Sequence, residues 1–262
     1  MHSGNVDVLS AGSLQDLMEK AVEPGFHSAT GYTEVDFSDG SSDLASDIKG
    51  KVRQGDVFVS ASQATNTTLE GSPNGDWVSW YATFATSQLA IGYHPKSKFA
   101  ADLKTKPWYD VVTMSGFRLG LTPPASDPKG VLAVEALDGT AKPRHLPALT
   151  AIGKDSSNQF PETNLEAEVE SGQLDAGFFY LAEANSAGIP TVPLTGVNLK
   201  ADYTITVLNK AAHLPAADAF VAYLLGPAGR SEMGRYGFKV VSPPALRGTG
   251  VPAALSSVIP PS

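Results

Sequence analysis

Strand-like and helix-like stretches alternate through the first sixty residues, roughly, and this alternation limits the fold more than any other feature. Residues 6–9 are a short apolar strand, and residues 15–26 read as a helix. Residues 33–37 alternate as a second strand, and the polar run 38–43 opens a helix that reaches residue 53. Residues 56–60 form a third strand. Strands separated by a helix cannot be joined as a hairpin, so the crossover makes them parallel and the class α/β. The same rhythm continues to the end. Strands are expected at 88–93, 117–121, 177–180 and 203–209, and helices at 131–137, 164–171, 182–187, 216–225 and 230–237. Residues 62–79 read as loop and helix and 122–130 as a loop; the Pro- and Gly-rich tail from Ser242 reads as a surface wrap. The expected organisation is two α/β lobes, residues 1–85 with 204–262 and residues 86–203, with the chain crossing twice.

Composition narrows the function. With 262 residues and 42% hydrophobic content the chain can bury two cores of ordinary size. It has no cysteine, which removes disulfide frameworks, thiolate metal sites and thiol nucleophiles. A net charge of -8 argues against nucleic acid, whose phosphates need clustered Lys and Arg. It does not exclude a small anion, because backbone dipoles can hold one. No apolar run approaches the roughly 18 residues of a membrane span. The first residues lack the basic and apolar regions of an export signal, and the chain is read as starting at a processing site.

One device recurs. Ser13, Ser41–Ser42 and the run Asp127–Gly130 each stand where the chain enters a helix. A helix start presents unpaired N–H groups and a partial positive charge, and a hydroxyl beside it adds a further donor. Each turn has a second reading as a plain N-cap, with Pro128 at the first helical position after Asp127. Catalysis finds little support. There is no Gly-x-Ser-x-Gly elbow, no Walker loop and no dinucleotide fingerprint. His2, His27, His94, His145 and His213 are scattered without metal spacing and read as surface or loop residues. Asp56 and Asp175 adjoin strands and read as structural. Glu166, Glu168 and Glu170 read as a solvated helix face. Trp77, Trp80 and Tyr81 suit either core or the lining of a ligand cleft.

An ordered set of motifs then covers residues 6–244. They are AGSL at 11–14, GSSDLA at 40–45, DVFVSA at 56–61, ATSQLAIGY at 85–93, WYDVV at 108–112, FRLG at 117–120, SDPKG at 126–130, PETNL at 161–165, ESGQLDAGFFY at 170–180 and YTITV at 203–207. In this order the chain resembles the extracytoplasmic molybdate/tungstate-binding proteins of ABC importers. The resemblance implies a type II periplasmic-binding-protein fold whose two lobes close over one oxyanion. It implies a periplasmic or cell-surface monomer that binds without turnover, needs no cofactor or resident metal, and hands its ion to a membrane permease driven by an ATPase. Carried over by position, Ser13, Ser41 and Ser42 would donate from one lobe, and the backbone near Lys129 and Glu162 from the other, together with the Tyr180 phenol. The archaeal branch places a Glu before this Tyr, which with the Asp of the Asp-Pro motif approaches the metal centre. Here Phe179 holds that place while Asp127 remains. The expectation is therefore a four-coordinate tetrahedral ion held by neutral donors, with Asp127 capping a helix or orienting donors. Sulfate or another small anion stays open as ligand. An enzyme or a regulator's sensing module is the reading from another class, for which the chain carries neither a catalytic constellation nor a DNA-binding segment.

Overall fold

The computed structural model describes residues 3–260, so His2 lies outside the described residues. The strands in chain order are β1 (Asn5–Ala11), β2 (Thr33–Asp39), β3 (Val57–Ser60), β4 (Trp80–Tyr93), β5 (Leu119–Gly120), β6 (Ala176–Tyr180), β7 (Thr191–Pro193), β8 (Lys200–Val207) and β9 (Lys239–Gly248). The helices are α1 (Gln15–Leu17), α2 (Glu23–Thr30), α3 (Ser41–Gly50), α4 (Gln63–Thr67), α5 (Ala100–Thr105), α6 (Trp108–Val111), α7 (Pro128–Arg144), α8 (Pro147–Lys154), α9 (Glu162–Glu170), α10 (Leu181–Ala187), α11 (Leu214–Leu225) and α12 (Pro227–Arg235). The chain forms two compact units, residues 1–86 with 202–262 and residues 87–201.

In unit 1 the strand order is β2-β1-β3-β8-β4, with β9 also paired to β4. β1 lies parallel to β2 and to β3, as the helical crossovers require. β8 returns antiparallel to β3, and β9 lies antiparallel to β4. One sheet face packs Leu9, Phe58 and Leu208 against Leu44, Ala45 and Ile48 of α3. Elsewhere Phe26 of α2 meets Phe220 of α11 edge-on at 5.4 Å. Burying such side chains is worth about 1.5–3 kcal/mol each. The helical stretch after β1 changes geometry on its way: a 3₁₀ turn at Gly12–Leu14, α1, a π segment at Met18–Val22, then α2. Pro24 has no N–H to give, and the π segment shifts the hydrogen-bond register just before it.

In unit 2, β4 from Ser87 onward pairs antiparallel with β6 and with β7, and β6 pairs parallel with β5. α9 covers β6 through Leu165, Val169, Leu174, Phe179, Ala184 and Ile189. Gly130 in α7 is required by close approach, since a Cβ there would stand 2.2 Å from the Thr122 carbonyl oxygen.

Three expectations are corrected. The tail does not simply wrap the surface. Residues 239–248 form β9, and Pro243–Pro244 fall in the register shift opposite Thr83–Ala85, where the ladder needs no N–H from them. β4 begins at Trp80 rather than near 88, because both faces of its early residues are buried and no alternation marks it. Helix α7 starts at Pro128, three residues before the expected 131, with Pro at a position that helices favour. Helix α8 was not expected at all; Pro147 starts it in the same way.

Candidate functional site

Unit 1 brings its serines to two helical first turns. Gly40, in extended conformation, is the N-cap of α3, and no side chain caps this helix. Ser41 is its first residue and is fully buried. The Ser41 Oγ accepts the Ala61 N–H at 3.1 Å, so the hydroxyl hydrogen remains to be donated elsewhere. Ser41 is thus no N-cap, although capping was one reading of the sequence. Ser42 follows in the same turn, half-buried. The opening N–H groups of α3 have no intrahelical partner, as at any helix start, and here the first residue has no access to water. Ser13 lies inside the 3₁₀ turn after β1, where Ala11 is the N-cap and no side chain caps. It is buried, and its Oγ accepts the Tyr203 hydroxyl at 3.0 Å. Tyr203 itself is fixed by Phe238 at 5.3 Å, edge-on.

Unit 2 gathers Asp127, Lys129, Glu162 and Tyr180, and adds a residue that the sequence reading missed. Asp127 is a true N-cap, its Oδ1 accepting the Lys129 N–H at 3.2 Å. Its carbonyl oxygen accepts from Gly130 and Val131. The backbone near Lys129 therefore has its N–H groups committed within the chain, contrary to the expectation that they serve a ligand. Lys129 enters through its side chain. Its Nζ, wholly buried, lies 2.5 Å from Glu183 Oε1 and 3.4 Å from Glu162 Oε1. The rings of Phe179 and Tyr180 lie 5.6 and 5.8 Å from it. Glu183 Oε2 accepts the Tyr180 N–H at 3.1 Å, so one carboxylate ties the lysine to the end of β6. Glu162 is the buried first residue of α9, whose N-cap Pro161 offers no side-chain cap. Phe179 faces the apolar cluster under α9, and the next residue along the strand, Tyr180, is fully buried.

The electrostatics follow from burial. Desolvation disfavours the Lys129 ammonium, but Glu183, Glu162 and Asp127 outweigh it and hold the group charged well above the ordinary lysine range. Glu162 is pushed well up by burial first and by Asp127 next, with Lys129 opposing. Burial also raises Glu183, against Lys129 and the Tyr180 N–H. The one textual cue to Glu183 is its place three residues after the end of β6, the spacing at which a Glu reaches back to a helix-start N–H.

The remaining candidates have structural work. Asp56 accepts from the N–H groups of Asp7, Ala212 and His213, and its Oδ2 lies 2.9 Å from His213 Nδ1. Burial works to raise Asp56, and these hydrogen bonds outweigh it and leave the carboxyl below its usual range. The His213 imidazole is raised by the hydrogen bond to Asp56. Asp7, Asp56 and His213 do cluster at metal-ligand distance, which the scattered histidines did not foretell, but donors already fill the Asp56 carboxylate. Asp175 holds Arg118 and Ser97. Trp80 and Tyr81 are buried core residues, and Trp77 packs beside that core.

Comparison with known proteins agrees with this architecture. A family model described as bacterial extracellular solute-binding protein matches residues 6–239. A putative ABC transporter molybdenum-binding protein of Haloferax volcanii is 31% identical over 74% of this chain and 61% of its own length. The periplasmic molybdate-binding protein of Azotobacter vinelandii superposes with TM-score 0.71 at 18% identity, covering 90% of this chain and all of that one. The sulfate-binding protein SubI of Mycobacterium tuberculosis does so with TM-score 0.71 at 15% identity, covering 99% of this chain and 92% of that one. The fold is therefore the α/β periplasmic-binding-protein fold, and the named relatives are transport proteins rather than enzymes. By the extent of the family match, the chain belongs to the bacterial extracellular solute-binding proteins.

Proposed function

We propose that this solute-binding protein captures a fully ionised tetrahedral oxyanion, molybdate or tungstate, outside the cytoplasm and passes it to the permease of an ABC importer. One observation carries the reading: α3 opens on buried Ser41 with no side-chain cap, its hydroxyl oriented by the Ala61 N–H. A buried helix start without a cap favours an anion, which takes the opening N–H groups and the positive end of the helix dipole. Ser13, Ser41 and Ser42 donate from unit 1. Tyr180 and the start of α9 at Glu162 donate from unit 2, while Asp127 caps α7 and orients its first turn. Phe179 supplies no carboxylate, so the metal centre keeps four oxygen neighbours. The molybdenum-binding name of the Haloferax relative supports this choice of ion.

Sulfate is the second reading, favoured by the equal structural likeness to a sulfate-binding protein and by the loss of a metal-directed carboxylate at Phe179. Size and donor geometry would then set the choice between these dianions. Native mass spectrometry on freshly purified protein, with thermal shift against molybdate, tungstate and sulfate, separates the two. Stabilisation by molybdate and tungstate at a tenth of the sulfate concentration is the expected result. Stabilisation by sulfate alone would establish the second reading.

A further inference from the structure

Helix α11 borders a hollow in unit 1 that the oxyanion reading does not use. One face of the helix buries Phe220, Val221, Leu224 and Leu225. Another stripe carries Asp218, Ala219 and Ala222, close together on the helix surface. This stripe lines a cavity of about 790 Å³, shared with Tyr32, with Ala254 and with the last residues of α2. Side chains as short as Ala219, Ala222 and Ala254 leave that volume unfilled. Its size falls within the roughly 300–1,000 Å³ of small-molecule sites.

The lining has a definite electrostatic sign. Asp218 is its only charged side chain, and none of the lining residues is basic. Asp218 is partly buried, and its Oδ1 is closed off from solvent without a hydrogen-bond donor among the described residues. Burial raises this carboxyl above the usual aspartate range, and no neighbouring charge takes part. Two neutral features point the same way. Helix α2 ends at Thr30 on the cavity wall, and the C-terminal end of a helix carries a partial negative charge. Tyr32, stacked with Phe26 at 6.4 Å, adds an aromatic ring to the wall, a group that attracts organic cations through its face.

We infer that this cavity binds a small organic monocation, a primary ammonium or guanidinium on a short apolar body, with Asp218 as its counter-ion. The charged head supplies the donor that Asp218 lacks, and the body covers the alanines of the lining. A neutral ligand would leave the carboxyl unpaired, and an anion would meet like charge there and at the end of α2. The ligand is thus opposite in charge to the oxyanion of the proposed function. The site stands apart from that reading, since its lining lies wholly in unit 1 and includes none of Ser13, Ser41 and Ser42.

Benzylammonium chloride is the probe, with benzyl alcohol as its neutral isostere and benzoate as its anionic one. Binding is followed by the amide chemical shifts of the full chain at pH 7.5. Benzylammonium should give saturable shifts centred on Tyr32, residues 214–222 and Ala254. Benzyl alcohol should bind about tenfold more weakly or worse, the worth of one hydrogen bond between charged groups, and benzoate should leave these residues unmoved. Asp218→Asn should weaken benzylammonium by the same factor without lowering the thermal unfolding midpoint, because the native Oδ1 has no donor to lose. Ala222→Leu, which fills the cavity from the same stripe of α11, should abolish binding. Equal binding of benzylammonium and benzyl alcohol, undiminished binding in either variant, or no saturable shift at these residues overturns the inference. Molybdate titration of the same samples tests the oxyanion reading separately, and both variants should bind molybdate as wild type does.

Discussion

The two units prepare polar groups in different ways. Unit 1 uses neutral groups: Ser41 buried at the start of an uncapped helix, and Ser13 tied to Tyr203. Unit 2 uses ionisable groups: a buried lysine, two carboxyls within 3.4 Å of it, and an aspartate cap on the same helix. Neutral donors cost little to bury once their acceptors are set, and they respond to pH hardly at all. A buried ion pair holds its geometry only while both partners are present, and each partner's charge depends on the others. Loss of a group should therefore damage unit 1 locally and unit 2 collectively.

The largest expected effect of a substitution at the candidate site is on unit 2. Lys129→Met leaves Glu183, Glu162 and Asp127 buried without a cation, and should cost about 3–5 kcal/mol of stability in denaturant unfolding. If Lys129→Met and Glu183→Gln combined were no more stable than Lys129→Met alone, the two residues would not act as a pair. In unit 1, Ser41→Ala should cost oxyanion affinity by roughly 1.5–3 kcal/mol, the worth of a donor to a charged ligand. It also leaves the Ala61 N–H without its acceptor, so stability should be read in parallel with binding. Equal affinity in this variant would show that the helix start at Ser41 is not part of the site.

A different kind of effect, spread over several pH units, lies away from the candidate site. Glu34 of β2 is buried and pushed up to about 9, by burial first, then by Asp36 and Glu23. The folded chain thus keeps a proton that the unfolded chain releases near the ordinary glutamate range. Its stabilising contribution is complete below about pH 4.5 and is lost as pH rises toward about 9, at about 1.4 kcal/mol per pH unit. Glu34→Gln should flatten that part of the curve in unfolding measured from pH 5 to 9. An unchanged slope would mean that other groups set it.

Much of the fold was legible because β1, β2 and β3 carry the crossover pattern in their own residues. The early half of β4 was hidden by burial on both faces, and β9 by prolines that a register shift accommodates. In the site, Ser13, Ser41 and Asp127 were legible as turn residues, since each is marked by its local sequence. The Lys129–Glu183 pair was not, because the partners are 54 residues apart, and the local cue at Glu183 points to the Tyr180 N–H rather than to a lysine. Lys129 was read only for its backbone, yet its N–H is committed to Asp127 and its side chain organises the cluster. Local chemistry can be read along the chain; a charge balance made by three helices needs the fold.

Isothermal titration of the intact protein at pH 7.5 with molybdate, then with sulfate and phosphate in competition, tests the central claim most directly. The account predicts saturable binding of one molybdate per chain, with phosphate, which keeps a proton at this pH, the weakest competitor. No heat and no stabilisation with molybdate or tungstate, or binding of phosphate in preference to both, would contradict it.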